Sequence, residues 1–184
     1  MKEINKIIVH CSATKEGEDI DSKTIDKWHK KRGWKGIGYH FVVRLNGLIE
    51  TGRMIDECGS HTKGENCSSI GVCYIGGVES FRTNGEYKPK DTRTIEQKES
   101  LIIILRYLKR LYPKATIHRH REFSNKACPS FNAFDEYKNL TKTKTNGIYT
   151  NKLARIINWI YDFLESYNKP NTYWKWQQNL WLAW

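Results

Sequence analysis

The sequence predicts an α/β domain, a central mixed β-sheet flanked by helices, followed by a helical, tryptophan-rich C-terminal extension. Three observations lead there. Two β-branched runs, Ile7-Ile8-Val9-His10 and Ser69-Ile70-Gly71-Val72-Cys73-Tyr74-Ile75, have the length and composition of buried strands. Between Thr94 and Tyr112, Leu101, Ile104, Leu105, Leu108 and Leu111 recur at helical spacing. Asn46-Gly47, between Val42-Val43-Arg44-Leu45 and Leu48-Ile49-Glu50, is a strong type I′ hairpin signal.

Taken in order, the first strand ends at His10 and gives way to Cys11-Ser12-Ala13-Thr14 and an acidic, glycine-containing loop. Asp21-Ser22 has N-cap chemistry, and Ile25, Trp28 and His29 recur at i, i+3, i+4, so a helix is expected that breaks at Gly33. The hairpin follows, then a loop over Gly59-Ser60-His61-Thr62-Lys63-Gly64, then the second buried run, closed by Gly76-Gly77. Residues 80–93 read as polar and irregular. After the long helix, Thr116-Ile117-His118 forms a brief strand, giving the order β-α-β-β-β-α-β.

The 184 residues suffice for one ordinary domain with an appendage. Residues 1–140 are expected to form the domain, 141–150 a linker rich in Thr and Lys, and 151–184 the extension. In the extension Leu153, Ile156, Ile157, Ile160, Phe163, Leu164 and Tyr167 mark an amphipathic helix, and five of the seven tryptophans cluster at 159, 174, 176, 181 and 184. Its ordinary reading is a helix docked on the core; Lys152, Arg155, Lys169 and Lys175 also suit an anionic membrane surface, and the aromatic faces a wall polymer. A net charge of +11 favours polyanionic partners, but no nucleic-acid recognition motif is present. Five cysteines, an odd number without paired spacing, argue against a disulfide framework and for reduced thiols in a cytosolically made protein. The N-terminus lacks an apolar core of signal-peptide length, and no apolar run nears the roughly 18 residues of a membrane span.

The chemistry concentrates in "HRHREFSNKACPS", residues 118–130. A catalytic zinc site takes three protein ligands, preferably His and Cys, and leaves one position for water. His120 and Cys128 stand eight residues apart, enough for a loop to bend both toward one ion, and His10 at a strand end is the best third candidate. Each also has an ordinary reading: a hydrogen-bonded structural histidine, a buried small hydrophobe before proline, a solvated basic loop.

The segments "IIVHCSAT", "WHKKRGWKGIGYHFVV", "GSHTKGENCSSIGVCYIGG" and "HREFSNKACPSF" resemble the zinc-dependent N-acetylmuramoyl-L-alanine amidases (amidase-2), which include phage lysozyme-amidases and animal peptidoglycan recognition proteins. They occur in that family's order over residues 4–135 and are most similar to the phage members. The resemblance implies the peptidoglycan-recognition fold, one zinc ion on His10, His120 and Cys128, and catalytic roles for Tyr39 and Lys126. It implies a substrate groove lined by the loop of His61 and Asn66. His118 shares strand parity with His120, but the family pattern selects His120. His29 and His40 are expected to pack or solvate, Cys11 to point away from the metal, and Cys58, Cys67 and Cys73 to be structural.

The implied reaction is hydrolysis of the amide between N-acetylmuramic acid and the stem L-alanine in bacterial peptidoglycan, by an enzyme made in the cytoplasm that reaches the wall after release or signal-independent export. A non-catalytic peptidoglycan binder is the rival reading, and the presence of all three ligands argues against it. Some phage members also bind a phage RNA polymerase; no residue pattern here supports such a partner, and a pull-down tests it.

Overall fold

The computed structural model describes residues 3–140; the expected linker over 141–150 and extension over 151–184 lie outside the described residues. Five strands form the main sheet: β1 (Lys6–Cys11), β3 (Phe41–Val43), β4 (Ile49–Thr51), β5 (Ser69–Tyr74) and β8 (Thr116–Arg119). Their order is β4-β3-β5-β1-β8. β3, β5, β1 and β8 run parallel, and β4 closes one edge antiparallel. β5 is buried along its whole length, as expected of a parallel strand covered on both faces.

Strand alternation puts Val9 on one face and His10 on the other. Register extends the division: Val9 lies beside Val72 and then Phe41, while His10 lies beside Cys73 and then Val42. Helix α1 (Ser22–Lys31) starts at Asp21, whose carboxylate accepts from Thr24 N–H at 2.8 Å, and the chain turns away at Gly33 with φ +81°. Its Ile25 joins Ile20, Ile37, Val42 and Ile75 in a core cluster, with Trp28, Tyr39 and Leu45 against it. Tyr39, just ahead of β3, is thereby held beside the His10 face.

Helix α2 (Ile95–Leu111) opens with a capping box between Thr94 and Gln97. The fully buried Gln97 also donates to the carbonyls of Val43 at 3.1 Å and Ile75 at 2.9 Å, tying the helix start to the ends of β3 and β5. Four of the five stripe residues, Leu101, Ile104, Leu105 and Leu108, are fully buried. Each contributes about 1.5–3 kcal/mol of apolar burial before chain entropy is set against it.

Three expectations are corrected. The 46–47 hairpin exists but is not type I′: Gly47 N–H donates to Arg44 C=O, Arg44 N–H donates to Leu48 C=O, and only Gly47, not Asn46, has positive φ. The loop is one residue longer than a two-residue turn, with glycine taking the left-handed position. Residues 80–93 are not irregular throughout: β6 (Gly77–Thr83) and β7 (Glu86–Pro89) form a hairpin that pairs with β2 (Thr14–Lys15) in a second sheet. Its turn, Asn84 at φ 53° and Gly85 at φ 81°, has the two positive φ values of type I′. The outer half of β6 is exposed, so it lacks the apolar alternation that marks a half-buried strand. Third, Cys58 and Cys67 form a disulfide across a sequence separation of 9, where reduced thiols were expected. An odd total leaves room for one local pair, and this one closes a single loop. Cys11, Cys73 and Cys128 are free.

Candidate metal centre and active site

The site lies where β1 and β8 end, outside the carboxyl ends of parallel strands, where such sheets leave a crevice. His10 is the fifth of six residues of β1 and is buried. β8 runs directly into a 3-10 turn, His120–Glu122, which presents His120 beside it; the two ring centroids are 4.5 Å apart. The chain loops back to Cys128, held by Arg121 N–H donating to Cys128 C=O at 2.9 Å. Beyond a cis Cys128-Pro129 peptide, the loop is anchored by Tyr74 O–H donating to Pro129 C=O at 2.6 Å and by Ser130 O–H donating to Gly77 C=O at 2.7 Å.

One ligand atom each from His10, His120 and Cys128 lie within 4.8 Å of one another. Nδ1 of His10 is 3.8 Å from Cys128 Sγ, the separation of two atoms sharing one ion at roughly 2.0 and 2.3 Å. The electrostatics suit a cation. Burial, then the neighbouring charges of His61, His120 and Lys126, holds His10 well below the ordinary imidazole range. Burial and Lys126 lower His120 as well. Both rings are therefore neutral, the form that binds metal. The neighbouring Cys11 thiol and burial push Cys128 up, so it is held as a thiol that a bound cation would convert to the thiolate. Cys11 N–H donates to Cys128 Sγ at 3.2 Å and aims the sulfur. The donor set, two imidazoles and one thiol, fits zinc.

The model of the N-acetylmuramoyl-L-alanine amidase family matches residues 1–131. The chain belongs to the N-acetylmuramoyl-L-alanine amidase family. Its activity is that of a peptidoglycan amidase. The endolysin of Enterobacteria phage K11 is 42% identical over 130 residues, covering 71% of this chain and 83% of that protein. The endolysin of Escherichia phage T7 is 42% identical over 125 residues, covering 68% and 80%. Among solved structures, N-acetylmuramoyl-L-alanine amidase LysC from Clostridium intestinale URNW is 34% identical with a TM-score of 0.64, covering 78% of this chain and 88% of that one. A peptidoglycan recognition protein of the LCa and LCx ectodomain complex with tracheal cytotoxin is 28% identical with a TM-score of 0.57, covering 74% and 82%.

Within this amidase domain the other expected residues fall as follows. The Tyr39 ring lies 5.2 Å from that of His10, and burial, followed by the thiols of Cys73 and Cys128, raises its phenol well above the ordinary range. Tyr39 therefore stays protonated. Lys126 is exposed, with its ammonium close enough to lower both His10 and His120. His118 turns from the donor set to Thr116 at 2.7 Å and Glu122 at 2.6 Å. His29 and His40 are buried: Nδ1 of His29 accepts from Gly38 N–H at 2.9 Å, and Nδ1 of His40 from Gly71 N–H at 3.0 Å. The Cys11 thiol stands outside the three-donor set, 3.8 Å from Ser130 Oγ.

The loop of His61 and Asn66 packs against His10. His61 is buried behind His10, its Nδ1 3.0 Å from Nε2 of His10. The Asn66 carboxamide oxygen accepts from the backbone N–H of both His61 and Thr62 at 2.8 Å and so shapes the loop. A cleft of about 800 Å³ runs along Trp34, Arg53, Glu57 and Ser60. Sequence reasoning missed Thr62, whose hydroxyl is 3.0 Å from His61 Nδ1 and 3.4 Å from His10 Nε2. It also passed over Gly71, although an isolated glycine in a strand marks close approach of another group.

Proposed function

We propose that this amidase is zinc-dependent and hydrolyses the amide between the lactyl group of N-acetylmuramic acid and the L-alanine of the stem peptide. The observation that supports it is the convergence of His10, His120 and Cys128 within 4.8 Å, two of them neutral by burial. When bound, zinc supplies Lewis-acid chemistry, polarising the carbonyl and lowering the pKa of water. Tyr39, kept protonated, donates a hydrogen bond to the carbonyl oxygen as it gains charge. Lys126 sets a fixed positive charge at the mouth of the site and stabilises the same oxyanion. Its exposure leaves it free to meet the substrate from the solvent side.

The cleft along Trp34 and Arg53 offers an aromatic face and a cation to the rest of the substrate. Synthesis in the cytoplasm and action on the wall after release complete the reading. The basic, tryptophan-rich extension over 151–184 is assigned contact with an anionic membrane or wall polymer.

The test is mass spectrometry of murein sacculi digested by zinc-loaded protein, with Cys128→Ser as control. Free stem peptides beginning with L-alanine and glycan chains with intact lactyl groups are expected, and the control should lose activity by orders of magnitude. Cleavage inside the stem would move the scissile bond. A folded, zinc-loaded protein releasing nothing would leave a binding role.

A further inference from the structure

We propose that His61 is a positioning residue for the metal ligand His10, rather than a wall of the substrate groove. The inference rests on the zinc reading above. His10 faces Cys128 with Nδ1 at 3.8 Å, so Nε2 is the nitrogen left to carry the proton. That N–H points at Nδ1 of His61, 3.0 Å away, with the Thr62 hydroxyl at 3.4 Å as a second partner. A ligand histidine whose far nitrogen is fixed this way keeps one tautomer and one ring orientation, and its lone pair stays aimed at the metal.

The loop is built to hold His61 still. Asn66 accepts from the backbone N–H of His61 and Thr62, and the Cys58–Cys67 disulfide closes the segment around them. Two glycines cradle the ring: a Cβ on Gly59 would stand 2.4 Å from its Cδ2, and one on Gly71 would stand 2.6 Å from the same atom. Nε2 of His61 makes no hydrogen bond of normal geometry, although the Ser69 backbone lies nearby. A ring kept buried with one nitrogen unsatisfied spends stability, and the bond to His10 is what it gains.

The experiment compares His61→Leu, His61→Asn and His61→Gln with the wild type. Asparagine places an amide oxygen at the δ position where Nδ1 of histidine accepts; glutamine carries the same group one bond farther out; leucine has no acceptor. Zinc affinity is read by competition with a chromogenic chelator, and kcat and KM on soluble muramyl peptide at saturating zinc. Leucine and glutamine should weaken zinc binding roughly 10- to 100-fold, asparagine should stay within about threefold of wild type, and KM should hold in all three. Wild-type zinc affinity in His61→Leu with a raised KM would overturn the inference and return His61 to the groove. Equal loss in the asparagine and leucine variants would overturn it too, since the acceptor would then be irrelevant. The asparagine result stands even if the leucine variant does not fold. A wild type that binds no zinc at all would sink the zinc reading itself, a different failure.

Discussion

Gly71→Ala probes how the sheet sets the site without touching a donor. A Cβ there would stand 2.6, 2.7 and 2.8 Å from Cδ2, Cγ and Nε2 of His61. Ordinary carbon contacts begin near 3.5 Å, so the ring must retreat by roughly 0.9 Å. Gly59 also lies against the ring, where a Cβ would stand 2.4 Å from Cδ2 and 2.7 Å from Nε2, so a second glycine limits its retreat. A shift of that size along the 3.0 Å bond to His10 stretches it to about 3.9 Å, past the limit of about 3.5 Å, and a shift across the bond tilts the acceptor lone pair off the His10 N–H. Overpacking of this kind costs about 1–3 kcal/mol, and a lost partner of a metal ligand lowers affinity roughly tenfold or more. Urea unfolding of the metal-free protein reads the first effect, and chelator competition reads the second. Gly64→Ala is the control: its Cβ would meet nothing within 4 Å, but its φ of +86° is strained for alanine. It should lose about 1–2 kcal/mol and leave zinc affinity unchanged. A Gly71→Ala protein with wild-type stability and wild-type zinc affinity would refute the cradle.

Two further outcomes are expected. Reducing the Cys58–Cys67 bond, which spans a sequence separation of 9, should lower stability by about 2–3 kcal/mol on chain-entropy grounds, seen as a lower urea midpoint with a thiol reductant. The Cys58→Ala/Cys67→Ala double variant should not respond to reductant; an equal response there would assign the effect to the three free thiols. The metal-free protein should also lose stability as pH falls from 6.5 to 4. Burial holds His29 at about 4, and its Nδ1 must be unprotonated to accept from Gly38 N–H. The unfolded chain takes up that proton near 6.5 and the folded chain only near 4, so the contribution is complete above 6.5, falls across the interval and levels off below it. His29→Asn, with an acceptor that does not titrate, should show a shallower fall in urea midpoint over that range; an identical slope would remove His29 from the account.

What the sequence disclosed follows the range of each signal. The helices were legible because caps and stripes are local: Asp21, Gly33, Thr94 and the leucine-isoleucine stripe all act within a few residues. His120 and Cys128 were legible as a pair for the same reason, since one short loop carries both. His10 joins them only through the parallel pairing of β1 with β8, so its strand-end position makes it a candidate and the family resemblance is what singles it out. The two Asn-Gly pairs show the limit of a local signal. One dipeptide makes a type I′ turn at 84–85 and a longer loop at 46–47, because turn type also depends on where the flanking strands stop pairing. Gly71 points the other way. In a strand buried along its whole length a glycine forgoes packing and loses more chain entropy than any alternative, so it persists where something must come closer than a side chain allows. Here that something is His61, and the absence of one methyl group in β5 is what lets the loop at 58–67 reach His10.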